Sequence, residues 1–206
     1  GILIAGDYGI VEHSQVYRAC MSNQGGGQSS WASGLTAARD PVDGITTGAV
    51  IRFNNVNEIW GESLSTYEAD GTLIEGNVVG VGYSACLYVS DATNVMVKGN
   101  FIYGDPTNPV WGTGGASNVG LMIGDETYDP ISSNNTFINN IVYHTERNFY
   151  YYGAGSQGGH LTNVLIANNT FVDSTYLWTV QISAPVNGTI QTGPHVYYQN
   201  LLAERI

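Results

Sequence analysis

A chain of 206 residues is long enough for one substantial core and short for two ordinary domains, and charged residues make up only 11% of it. A single lysine, Lys98, and a formal net charge of −11 exclude a phosphate-binding surface for nucleic acid and an attraction to anionic membranes. Tyr, Val, Ile, Thr, Asn and Gly dominate where a helical protein would carry Lys, Glu and Arg, so the class is all-β.

In chain order, the first strand-like phrase is "GILIAGDYG", the opening expected of a mature secreted form or of a trimmed chain. Residues 1–47 read as the loop-rich first part of one domain. They include the irregular stretch "NQGGGQSSWASGLTAARDPVDG", whose Trp31, Arg39, Asp40 and Asp43 are expected to fold over one face and wall a groove. Residues 48–206 are regular. The phrases "VIRFNNV", "LIEGNVV", "VMVKGNF", "TFINNIV", "LIANNTF" and "VYYQNLL" align on Asn55, Asn77, Asn100, Asn140, Asn169 and Asn200, and Asp7 fits the same column. A second set of phrases, "SACLYVSDATN", "NVGLMIGDE", "NFYYYGAG" and "LWTVQISAP", falls between them.

The shortest steps in the column, 22 and 23 residues, hold two or three short strands with turns and leave no room for an ordinary helix. Such a unit is one coil of a single-stranded parallel β-helix, a solenoid whose coils stack at roughly 4.8 Å. About seven coils with irregular loop insertions would make a rod about 30 Å long. Alternate residues of each strand would fill a narrow interior. The Asn column would occupy a tight bend, where Asn and Gly tolerate left-handed backbone, and pass amide hydrogen bonds from coil to coil. Its role is architectural. Cys20 and Cys86 sit in apolar phrases and read as two thiols rather than as a disulfide or metal pair. Of three Asn-x-Thr matches, at Asn134, Asn168 and Asn187, two adjoin the Asn column, where a glycan would collide with the stack.

The phrases "NVMVKGNFI" and "NVLIANNTFV" resemble the repeats of right-handed parallel β-helix proteins, the pectate-lyase-like superfold. The resemblance implies contact with extended carbohydrate along the outer faces of the coils. The acidic, lysine-poor, amide-rich composition fits an extracellular, secreted protein, and Trp60-Gly61-Glu62 resembles a phrase of bacterial β-helix proteins. The fold resemblance does not select an activity, since polysaccharide lyases, glycoside hydrolases, isomerases, tail-spikes and adhesins share that fold. "GGH" at Gly158–His160 is the nearest approach to a polygalacturonase-like signature, and no adjacent Asp pair accompanies it.

Three patches concentrate functional groups. "NEIWGESLSTYEAD" carries Trp60, Glu62, Tyr67, Glu68 and Asp70, an aromatic face for a sugar ring beside carboxylates for acid–base work. The structural alternative is that Trp60 caps a core edge and the acids solvate a turn. "MIGDETYDP" carries Asp125, Glu126 and Asp129, oxygen ligands of the kind Ca²⁺ accepts, but without an Asp-x-Asp-x-Asp loop. "VYHTERNFYYYG" carries His144, Glu146, Arg147 and three tyrosines that should alternate across a strand. A lyase would draw its base from Glu62 or His144, its acid from Tyr67 or Tyr151, and its carboxylate-neutralising group from Arg39 or Arg147. A hydrolase would draw two carboxylates from Glu62, Glu68, Asp70 and Asp125. Trp31, Trp60, Arg39, Tyr151 and Asp70 are the expected substrate contacts. The alternative is a non-catalytic spike, adhesin or filament segment, whose repeat-like ends would stack on a neighbour.

Overall fold

The structure, a computed structural model, describes residues 1–21, 32–107, 119–126, 132–152, 161–175, 180–182 and 196–203. Short apolar triplets interrupted by Gly, Asn and Asp cannot sustain a helix, and they form strands throughout. Three sheets of seven parallel strands result. The first holds β1 (Ile2–Ile4), β4 (Ser33–Ala38), β8 (Glu62–Tyr67), β12 (Ala85–Ser90), β15 (Val119–Gly124), β18 (Arg147–Tyr152) and β21 (Val180–Ile182). The second holds β2 (Ile10–Glu12), β6 (Val50–Arg52), β10 (Leu73–Glu75), β13 (Met96–Lys98), β16 (Thr136–Ile138), β19 (Leu165–Ala167) and β22 (Val196–Tyr198). The third holds β3 (Gln15–Tyr17), β7 (Asn55–Asn57), β11 (Val78–Gly80), β14 (Phe101–Tyr103), β17 (Ile141–Thr145), β20 (Thr170–Ser174) and β23 (Leu201–Ala203). A short extra pair, β5 (Thr46–Thr47) and β9 (Ala69–Asp70), lies at the corner between the first and second sheets. The chain visits the three sheets in rotation, an order consistent with a β-solenoid. Residues 1–47 supply β1 to β5, so they carry more regular structure than their glycine-rich composition suggests.

Parallel register stacks like on like. Leu35, Leu64, Leu87, Leu121 and Phe149 face inward on successive strands of the first sheet. Ile51, Ile74, Val97, Phe137 and Ile166 do so in the second, and Val16, Val56, Val79, Ile102, Val142 and Phe171 in the third. Each fully buried side chain of this kind contributes about 1.5–3 kcal/mol of transfer free energy, which makes this one core the main source of stability.

The connection from the second sheet to the third is always the same two residues. The first has left-handed backbone in all seven: His13, Phe53, Gly76, Gly99, Asn139, Asn168 and Gln199. The second is Ser14, Asn54, Asn77, Asn100, Asn140, Asn169 or Asn200. From Asn54 onward these amides form a continuous ladder. Asn100 is representative: its Oδ1 accepts from the Asn77 backbone N–H (2.9 Å) and Nδ2 (3.0 Å), and its Nδ2 donates to Ile74 O (3.1 Å) and Asn140 Oδ1 (2.9 Å). The ladder corrects two positions of the sequence alignment. Asn54, not Asn55, is the rung, because Asn55 already belongs to β7 and points out. Ser14, not Asp7, is the first-round counterpart, since its N–H donates to Asn54 Oδ1 at 2.9 Å. Asp7 instead accepts from the Thr47 N–H at the opposite corner.

Candidate functional site

The outer face of the first sheet differs from the other two outer faces. β12 and β15 are buried on both sides, the inner by the core and the outer within a groove of about 820 Å³. Strand alternation against the inward Leu and Phe row assigns two outward rows, Thr36, Ser65, Tyr88, Met122 and Tyr150, and Ala38, Tyr67, Ser90, Gly124 and Tyr152. A third register row, Ser33, Glu62, Ala85, Val119 and Arg147, lies three residues earlier, where simple alternation does not hold, and Ser33, Glu62, Val119 and Arg147 reach the groove from it. Most of them line the groove, together with Ser84 and Glu126.

At one end, the buried Glu62 accepts from the Ser33 hydroxyl at 3.3 Å, and the Ser65 Oγ lies 2.9 Å from Ser33 Oγ and 2.8 Å from Thr36 Oγ1. Three strand steps, about 14 Å of backbone, separate Glu62 from Arg147, and the small residues Ala85 and Val119 lie between them. The Arg147 guanidinium stands 3.5 Å from Glu146 and 5.2 Å from the centre of the Tyr150 ring. At the other end, Tyr88 donates to Glu126 Oε1 at 2.6 Å, and the Glu126 N–H donates to Asp91 Oδ1 at 2.9 Å. Tyr88 crosses directly above Gly124, where a Cβ would meet its hydroxyl. Burial pushes the Glu126 carboxyl up from the usual range, and Asp91 adds to the shift while the Tyr88 hydrogen bond opposes it. Burial likewise raises the Tyr67, Tyr88 and Tyr152 phenols, with Glu68 and Glu126 adding negative potential.

The sequence-predicted residues divide accordingly. Glu62, Tyr67, Arg147 and Glu126 meet in this groove. Glu68, hydrogen-bonded by Tyr67, pairs with Arg39 at 2.9 Å, and neither of that pair lines the groove. Trp60 is buried, stacked 4.7 Å from Tyr83, so the core-edge alternative describes it. Tyr151 points inward, because Tyr150 and Tyr152 are the outward members of their run. It is 1% exposed, and burial pushes its phenol up to about 12. His144 lies at the far corner of the third sheet, with its Nδ1 2.7 Å from Asp173. Asp70 accepts from Thr93 and Asn94 on a turn. Asp125 is fully buried and accepts from the Ser132 N–H at 3.2 Å. No group of three His, Cys, Asp or Glu among the described residues is arranged to hold a metal ion, and Asp129, the third acid of the patch with Asp125 and Glu126, lies outside those residues. Trp31, Asp129 and Gly158–His160 lie outside the described residues.

Sequence reasoning missed Tyr88 and Met122, and from the run of three tyrosines it chose Tyr151, where Tyr150 and Tyr152 line the groove. Their only signal was outward parity within phrases whose inward residues are apolar, and parity is legible only once the register is known. Comparisons of the chain with protein-family models, with curated proteins and with solved structures return no match.

Proposed function

We propose that the chain is a secreted right-handed parallel β-helix of seven coils, closed around one core, that binds an extended glycan across the outer face of its first sheet. The observation that carries this reading is the groove. Tyr67, Tyr150 and Tyr152 stand at least partly exposed over a buried Tyr88, Ser33, Thr36 and Ser65 offer hydroxyls, and Glu62, Glu126 and Arg147 offer charged hydrogen-bonding groups. That mixture suits a sugar, which has an apolar ring face and a polar rim. The right hand follows the crossover rule for parallel strands.

Cleavage of the bound glycan is the catalytic form of the same reading. In register, Gly124 at the end of β15, two residues before Glu126, lies five residues along and two strands across from Glu62, roughly 19 Å of backbone and well beyond the separation at which two carboxylates act on one glycosidic bond. Elimination, which needs a uronate, would take Glu62 as base, Tyr67 as acid for the leaving oxygen and Arg147 to neutralise the substrate carboxylate. The test is titration calorimetry of the protein against neutral, acidic and amino glycans, followed by assays for new double bonds and new reducing ends. Binding is expected to weaken at least about tenfold in Tyr150→Ala and Tyr152→Ala. Absence of binding across the panel by folded protein overturns the reading.

One observation favours the structural alternative. Val78, Phe101 and Ile141 are register neighbours on the outer face of the third sheet, and all three are exposed. A spike or filament segment would bury that stripe against another chain. Concentration-dependent sedimentation abolished by Phe101→Asp would support it.

A further inference from the structure

The chain has six basic side chains: Arg18, Arg39, Arg52, Lys98, Arg147 and Arg205. The five that fall among the described residues each stand against a carboxylate. The pairs are Arg18–Glu58 at 3.7 Å, Arg39–Glu68 at 2.9 Å, Arg52–Glu12 at 2.6 Å, Lys98–Glu75 at 3.1 Å and Arg147–Glu146 at 3.5 Å. Only Arg147 among them lines the groove. Against this one guanidinium the groove sets Glu62 at one end and Glu126 at the other. Glu68 and Asp91 contribute further negative potential around Tyr67 and Tyr88.

A uronate or sulfated glycan requires several Arg or Lys forks along its track, and here it would bring like charges onto Glu62 and Glu126. A protonated amine reverses every sign. It donates up to three hydrogen bonds to carboxylate oxygens, and the faces of Tyr67, Tyr88, Tyr150 and Tyr152 attract cations as well. We propose that the groove takes a glycan bearing protonated amino groups, with ammonium groups received at Glu62 and Glu126 and sugar faces lying on Tyr150 and Tyr152. This rests on the glycan-binding reading above and gives it a charge class.

The test compares three forms of one backbone by titration calorimetry with the full chain: glucosamine oligomers, N-acetylglucosamine oligomers, and oligomers oxidised to carry carboxylates. The pH is held where the amines are protonated. The amino form is expected to bind about tenfold or more tighter than the N-acetyl form, with the carboxylate form weakest. That preference should shrink as salt is raised. Glu62→Gln and Glu126→Gln should each reduce the ratio of amino to N-acetyl affinity, and the double variant should abolish it, the ratio being read within each variant whatever happens to N-acetyl affinity itself. Should a variant fail to fold, the salt dependence of the parent protein decides alone. Equal or tighter binding of the N-acetyl or carboxylate form overturns the charge assignment and leaves glycan binding standing. No binding of any form overturns both.

Discussion

The two-residue corner between the second and third sheets and the outer face of the first sheet are built on opposite rules. At the corner, all seven connections have the same length, the same left-handed first residue and, from Asn54 on, the same amide in second place. Around the first sheet, connection lengths vary freely. Residues 91–95 link β12 to β13, while residues 183–195 link β21 to β22, and residues 81–84 enter β12 where residues 104–118 enter β15. A buried amide must pair with its copy one strand away, so any insertion at the corner would break two rungs. The first sheet has no such constraint at its margins, and its outward residues differ from strand to strand. Uniformity marks the part that holds the fold together, and variation marks the part where we propose a ligand is recognised.

The sharpest way to break this contrast is Asn100→Ala. It would strand the Asn77 donors, the Ile74 carbonyl and one acceptor contact of Asn140 in a buried column. A loss of about 3 kcal/mol in urea unfolding is expected, with no change in glycan affinity per folded molecule. A smaller loss destroys the claim that the ladder is structural, and a change in affinity destroys the claim that the two regions are separable.

Alkaline unfolding separates them by chemistry. The Cys86 thiol in the first sheet is fully buried, and burial pushes it up from 9.0 to about 11. The folded state holds the neutral thiol, whereas the unfolded chain ionises it near its ordinary value. Its contribution is therefore complete below about pH 9 and is lost as pH rises through about 11, on the order of 2 kcal/mol. The urea midpoint should fall over that window in the parent protein and fall less in Cys86→Ala. The ladder amides do not titrate and add nothing to the slope.

The smallest effect tests the left-handed position itself. Gly99 has φ +64°, and a Cβ there would meet nothing within 4 Å. Gly99→Ala should cost about 1 kcal/mol from backbone conformation alone. Gly99→Asn should cost less, because Asn139 and Asn168 hold the same place at φ 57° and 56°. Equal costs for the two substitutions, measured by thermal unfolding, would mean that side-chain contacts decide this position after all.

Much of the fold was legible because its signals are local. A left-handed residue followed by an amide is turn chemistry written in two adjacent letters, and it recurs often enough to announce stacked parallel strands. Even so, "FNNV" offered two amides in a row, and only the ladder identifies Asn54 as the rung. The corner between the first and second sheets has its own left-handed column, Tyr8, Gly48, Gly71, Asn94, Asn134 and Asn163. It went unread because its residue types vary too much to align.

By itself, then, the sequence determined an all-β chain, the recurrence of its strands, the amide column and the scarcity of positive charge. Tertiary structure alone decided which groups share a surface. Thr36, Ser65, Tyr88, Met122 and Tyr150 lie on five separate strands and become neighbours through parallel register. It also turned Tyr151 and Trp60 inward and kept His144 away from Glu62. The physical reason is range. A turn is specified by the residues that make it, whereas a groove depends on register between strands whose connecting segments differ in length, and only stacking against the core sets that register.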